Sequence, residues 1–206
     1  MRMTKWMQGI LFLGGLFLAA SGPIQAQDIP SLRFGLEVGG SLSDLRYDPS
    51  KVNVNFNDLH PGVIGGAFLQ VNLSSSFALQ PELLYVQEGT HDGTFTAEFD
   101  YLEVPLLLKY YFPGIAVKPN LFVGGSVGFN LLAQNNPDDG GAPSKWASNY
   151  VSGTEESLIV GAGIDFDKFS VSGRYQMGLS PVTTADYDPN SFQNESFSLM
   201  VGYSFI

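Results

Sequence analysis

The chain has 206 residues, 20 acidic side chains against 10 basic ones, a net charge of -10 and no cysteine. That balance argues against nucleic acid as a partner, because phosphate backbones are held by Lys and Arg, and the missing thiols exclude a disulfide framework, a thiolate metal site and a lipid anchored on cysteine. Charged residues make up 15% of the chain, below the roughly 25% of an ordinary soluble domain.

At the N-terminus Arg2 and Lys5 precede the apolar run GILFLGGLFLAA, and the polar SGPIQAQ follows. This is the pattern of a secretory signal peptide over residues 1–26, cut after Ala26. The run is shorter than the ~18 to 20 apolar residues of a spanning helix. Residues 27–206, about 180 of them, then fit one domain.

From residue 32 onward the period is two. Segments 32–39, 62–73, 77–85, 101–112, 120–131, 157–166, 168–180 and 196–205 each alternate an apolar with a small or polar residue. In KFSVSGRYQMGLS, for example, Phe169, Val171, Tyr175, Met177 and Leu179 oppose Ser170, Ser172, Arg174, Gln176 and Ser180. Each segment is close to the ~9 to 11 residues with which a tilted strand crosses a bilayer. Links at 74–76, 113–119 and 167–168 are short, whereas those near 43–61, 89–97, 133–156 and 180–195 are longer and carry most of the acid and turn residues. Short turns on one rim and long loops on the other predict an all-β, eight-stranded antiparallel up-and-down transmembrane β-barrel with periplasmic turns and extracellular loops.

The two faces decide which side is inside. An eight-stranded barrel is just wide enough for side chains to fill, so the face of Gly, Ser, Asn and Gln is expected inward and the apolar face toward lipid. Aromatic residues Phe77, Tyr110, Phe112, Phe166, Phe169, Tyr203 and Phe205 mark the short-turn rim, where an interfacial girdle belongs. Inward charges along a narrow axis must pair. The candidate site is therefore an interior ion-pair network of Arg33, Glu37, Glu82, Glu103, Lys109, Asp165 and Arg174. Within it Arg174 and Arg33 are expected to meet some of Glu37, Glu82 and Glu103, with Lys109 nearer the periplasmic rim. A structural plug and a gated ion path both fit such a lining.

Catalytic chemistry finds little footing. His60 and His91, with Asp58 and Asp92 close by, allow an acid and base at the outer rim, but residues adjacent on a strand point apart. Asp138 and Asp139 in NNPDDGG lack the spacing of a calcium loop. GGSVGF and GAGID are not followed by the helix that a phosphate-binding loop needs; glycine there lets a strand bend and leaves room for bulky inward residues. No catalytic residue, cofactor or metal site is expected.

The blocks LQPELLYVQEG, YLEVPLLLKYYF, LFVGGSVGF, GAGIDFDKFSVSGRYQMGLS and FSLMVGYSFI resemble the PorT-like family of outer-membrane β-barrel proteins of Gram-negative bacteria. The resemblance implies an integral outer-membrane barrel of about eight strands, with some relatives linked to protein export, and brings no catalytic or ligand residues. Where that family closes its last strand on an aromatic residue, this sequence has Phe205 followed by Ile206. The function expected is a structural or interaction barrel with a side-chain-filled interior and acidic extracellular loops. The alternatives are a small conducting or export-associated, porin-like barrel and, behind both, a lipid-modifying enzyme. Expected partners are outer-membrane lipid, the barrel-insertion machinery and periplasmic or secretion-related proteins.

Overall fold

The computed structural model describes residues 31–46, 59–91, 95–113, 117–137, 142, 144–145, 151–182 and 193–205. The signal-peptide segment, Asp58, Asp92, Asp138 and Asp139 lie outside them. Nine strands follow in chain order: β1 (Leu32–Arg46), β2 (His60–Asn72), β3 (Phe77–His91), β4 (Phe95–Tyr111), β5 (Lys118–Pro137), β6 (Ser144–Lys145), β7 (Thr154–Phe166), β8 (Phe169–Gly178) and β9 (Gln193–Ser204). All but the two-residue β6 build the wall. Neighbours in sequence pair antiparallel, and β1 closes on β9 from Gly35 opposite Ser204 to Arg46 opposite Gln193. Closure leaves the wall no free edge within hydrocarbon, where an unpaired backbone group costs several kcal/mol.

The pleat sorts side chains as the period of two requires. On β9 and the residue after it, Phe197, Leu199, Val201, Tyr203 and Phe205 are 39 to 58% exposed, whereas Ser196, Ser198, Met200 and Ser204 are 4% or less. The same contrast on every barrel strand gives an apolar outer belt. At the short-turn end the belt finishes in aromatic contacts: Phe34 with Phe205, Tyr203 with both Phe205 and Phe169, and Tyr110 with both Phe77 and Phe112, all with ring centroids 5.1 to 5.5 Å apart. At that rim Asp167 takes a left-handed φ of 50° in the two-residue turn between β7 and β8, a conformation that Asp tolerates.

One expectation needs correction. Residues 89–97 are not a long loop, because the β3–β4 ladder runs on through Gly89–Glu98, Thr90–Ala97 and His91–Thr96. Turn-type residues there gave a loop signal that continuous pairing overrides. The inward face is mostly small and polar, and it also carries bulky apolar residues. Leu84, Leu107, Phe122, Ile159 and Met200 are buried in the lumen, each at 5% exposure or less. Glycine makes this possible: a Cβ on Gly35 would stand 2.6 Å from the Phe68 ring, and one on Gly161 would stand 2.3 Å from the Phe122 ring.

Near the outer end the wall is joined in another way. The β2–β3 register stops at Ile64 opposite Val86, and three residues earlier stands Pro61, which has no N–H to donate. Ser41 and Ser43 of β1 take over. Ser41 Oγ donates to the Gln87 carbonyl (3.1 Å), while Ser43 Oγ accepts from the Gly89 N–H (2.8 Å) and lies 3.1 Å from its carbonyl. Gly62 lets them cross, since a Cβ there would meet the Gln87 carbonyl oxygen at 2.1 Å and Ser41 Oγ at 2.7 Å.

A charge on the outer belt tests which face meets lipid. Val201→Arg, in the middle of the β9 outer face, is expected to destabilise the barrel in lipid vesicles by about 2–4 kcal/mol. Ser198→Ala, on the inner face, should cost much less in the same urea titration followed on unheated gels.

Candidate functional site

The interior is built in layers from the short-turn end outward. The lowest centres on Asp165 of β7, which the register sets opposite Lys118 and Ser170. Its carboxylate accepts from the Tyr111 hydroxyl (2.8 Å) and from Asn120 Nδ2 (3.1 Å), with Lys109 Nζ at 3.8 Å and Arg33 Nη1 at 3.7 Å. Arg33 also donates to the Asp167 carbonyl at 2.7 Å. Arg33 thus meets Asp165, not the glutamates expected for it. It sits at the start of β1, level with the β7–β8 turn, too low along the barrel axis to reach Glu82 or Glu103.

The next layer turns on Arg174 of β8, which is 2% exposed. Its guanidinium forks onto Glu82, with Nη1 to Oε2 at 2.7 Å and Nη2 to Oε1 at 3.4 Å, and Nη2 lies 3.7 Å from Glu37 Oε2. Gln80 links the layers by donating to Glu82 Oε1 (2.7 Å) and accepting from Lys109 Nζ (3.2 Å). Both cations also stand over the Phe122 ring, Arg174 at 5.8 Å and Lys109 at 5.9 Å from its centroid. Between these layers is a cavity of about 20 Å³ lined by Arg33, Glu37, Lys109, Asp165 and Arg174, among others. It has room for a water or two. The unpartnered Arg174 Nε and Glu37 Oε1 are polar groups that such water would serve.

Glu103 lies higher and takes no arginine. Ser126 Oγ donates to its Oε2 (3.1 Å) and Gln176 Nε2 to its Oε1 (2.8 Å). Six of the seven expected residues therefore form one connected group, and Glu103 is satisfied apart from it by neutral donors. Three cations and three anions balance within that group, the condition under which a low-dielectric interior tolerates them.

Apolar side chains fill the rest of the lumen, beside these polar layers and beyond them. Leu107, Phe122 and Ile159 form one cluster, and Ile64, Leu84, Val86 and Met200 form the next. Ala97, Phe99, Tyr101, Ala133, Val151 and Val182 cover the outer end. There Ser152 N–H bonds the Val182 carbonyl at 2.7 Å, tying two long links together. His60 Nε2 stands 3.9 Å from Glu98 Oε1, and Gln134 donates to Glu98 Oε2 at 2.7 Å. His60 and Glu98 thus face each other on the rim, beside Gln134. The side chain of His91 lies outside the described residues. Among the described residues no three His, Asp or Glu side chains converge as metal ligands.

Glu88 and Glu155 are inward residues that the sequence reading missed. Parity could have found them, since Gln80, Glu82, Leu84 and Val86 lead to Glu88 on β3, and Ile159 and Ser157 lead back to Glu155 on β7.

A closed wall of eight long strands, a lipid-facing belt and a packed lumen agree with the family comparison, in which the description "Outer membrane protein beta-barrel domain" matches residues 25–184. The chain belongs to that family. It is an outer-membrane β-barrel protein. Among curated proteins none matches it. Solved structures similar to it include Ail of Yersinia pestis in complex with the heparin analogue sucrose octasulfate, at 14% identity over 85% of this chain and 99% of that one, with a TM-score of 0.45. Neisserial surface protein A is 14% identical over 84% and 97% of the two chains, with a TM-score of 0.46. OprG from Pseudomonas aeruginosa is 14% identical over 84% and 94%, with a TM-score of 0.40. At such identities the likeness concerns the fold alone.

The Arg174–Glu82 fork gives a test. Arg174→Met strands a buried carboxylate and is expected to cost about 3–5 kcal/mol. The joint change Arg174→Met with Glu82→Leu should recover most of that loss in urea unfolding of the vesicle-inserted barrel.

Proposed function

We propose that this outer-membrane barrel, spanning residues 27–206 after removal of a signal peptide, works as a closed structural anchor that presents its acidic outer links to partners, and that it is not an enzyme. The observation that carries this reading is the lumen, filled by the Arg174 network and by three successive apolar clusters. A conducting pore needs a continuous polar path, and lining polarity alone does not supply one. Outer-membrane lipid on the belt, the barrel-insertion machinery and periplasmic or secretion-related proteins at the short turns are the partners this reading implies; nucleic acid is not among them.

The second reading is a PorT-like, export-associated barrel. The sequence blocks LQPELLY and YLEVPLLLKYYF favour it. Deleting the gene and comparing surface and secreted proteins separates the two, because a structural barrel leaves the exported set intact while an export component does not.

Planar-bilayer recording tests the closed lumen directly. No steady single-channel conductance is expected from the wild type, and Glu103→Ala should open none. A steady current that changes with Glu103→Ala overturns the plug.

A further inference from the structure

Charge is distributed unevenly along the lumen. The short-turn half holds Arg33, Lys109 and Arg174 among Glu37, Glu82 and Asp165. Farther out three more glutamates are buried, Glu88, Glu103 and Glu155, and among the described residues no ion pair reaches any of them. The level of Glu88 and Glu155 lies past the hydrocarbon belt, because the outward residues there are Gln87, Asp100 and Glu156 and not leucine or valine.

Strand register brings the three together. β4 sets Glu103 opposite Gly128 of β5, and β7 sets Glu155 opposite the same glycine from the other side. A Cβ on Gly128 would lie 3.4 Å from Glu103 Cγ, so Glu103 occupies the space over the glycine that separates the two acids. On β9, Asn194 donates to Glu155 Oε2 at 2.7 Å. The next inward residue of β9, Ser196, stands opposite Ser43, whose hydroxyl bonds the backbone of Gly89 beside Glu88. Two successive inward positions of one strand thus flank Glu155 and Glu88.

Donors run short along this series. Both Glu103 oxygens are served, by Ser126 and Gln176. Glu155 has the Asn194 amide on Oε2 and no partner on Oε1. Glu88 has no exposure and completes no hydrogen bond on either oxygen, and the Ser196 hydroxyl beside it is neutral. The other groups around the cluster bring no positive charge: Tyr101 on β4, Ser43 on β1 and Gly178 on β8. Asp44 of β1 and Glu195 of β9 stand opposite each other at outward positions and add only acids. His60 of β2 packs over Gly89 and is turned to Glu98, while Arg174, four residues before Gly178 on β8, is committed to Glu82. A buried carboxylate in such surroundings takes up a proton instead of keeping its charge.

We propose that Glu88 and Glu155 are carboxylic acids in the closed barrel, with Glu103 the charged member of the three, and that their ionisation as the external pH rises releases the apolar cover of the outer mouth. Two added charges facing Glu103 require water, and water reaches them through the cover of Phe99, Val151 and Val182. Val151 and Val182 lie in links outside the wall strands, joined by the Ser152 N–H to Val182 carbonyl bond, so they yield before the wall does. The Arg174 layer beneath takes no part, and the barrel stays closed to ions while its cover moves. A folded state that holds protons which the unfolded chain releases loses stability as pH climbs above about 4.3, the ordinary glutamate value.

A chain without cysteine suits a thiol-labelling test. One thiol is placed under the cover by Val182→Cys, at a residue 1% exposed, and one on the short-turn rim by Ser75→Cys. Each barrel is refolded in detergent micelles and labelled with a methanethiosulfonate between pH 6 and 9; the ratio of the two rates, compared between backgrounds, removes the titration of the thiol itself. That ratio should rise at least tenfold over the range in the otherwise wild-type barrel, less than twofold when Glu88→Gln and Glu155→Gln are added together, and in full when Glu98→Gln on the rim is added instead. The temperature at which the folded gel band disappears should fall with pH in the wild type and hold steady in the double glutamine variant. A ratio that does not change with pH in the wild-type background overturns the proposal, as does a rise of equal size in the double variant. Should that variant fail to fold, the two glutamine changes taken singly decide: each is expected to cut the rise at least threefold, and a full rise in both overturns the proposal.

Discussion

Hydrocarbon offers a backbone no hydrogen bonds, and every other feature of this molecule depends on that. Within the belt each N–H and C=O must find its partner in a neighbouring strand, and joining β1 to β9 is how eight strands achieve this together. Once the ring is closed, its circumference sets the width of the interior. Eight strands leave room for side chains and little else.

That width then governs the chemistry inside. Groups that water would otherwise solvate must serve one another, and the connected set around Arg174 and Asp165 does this with matched charge and shared amides. Removing one member leaves the others stranded in a low dielectric, so the network tolerates change in pairs better than change in singles. Phe68 and Phe122 fill the remaining space where glycines directly opposite them on the adjacent strand let them in.

The alternation in Phe169, Val171, Tyr175 and Met177 was enough to read strands, faces and lipid exposure, because a period of two with an apolar side admits few other solutions. Contacts across the lumen were not legible in that way. Arg33 and Asp165 are 132 positions apart in sequence, and only the stagger of β1, β9, β8 and β7 sets them level. Phe122 and Ile159 went unnoticed because glycine and serine around them dominate the pattern. The ladder beyond Gly89 was hidden by turn-type residues whose polarity reflects the aqueous side of the wall, and not the end of pairing.

The two serine bridges over Gly62 give the rim a built-in weak corner. Elsewhere a strand can leave its neighbour only by breaking a run of backbone bonds cooperatively, whereas here β1 grips β3 through rotatable hydroxyls that exchange partners one at a time. Beside Pro61 the β2–β3 seam therefore has few backbone bonds to resist opening from the outer side. The β1–β9 seam, like β1–β2, is held by an unbroken register of twelve residue pairs.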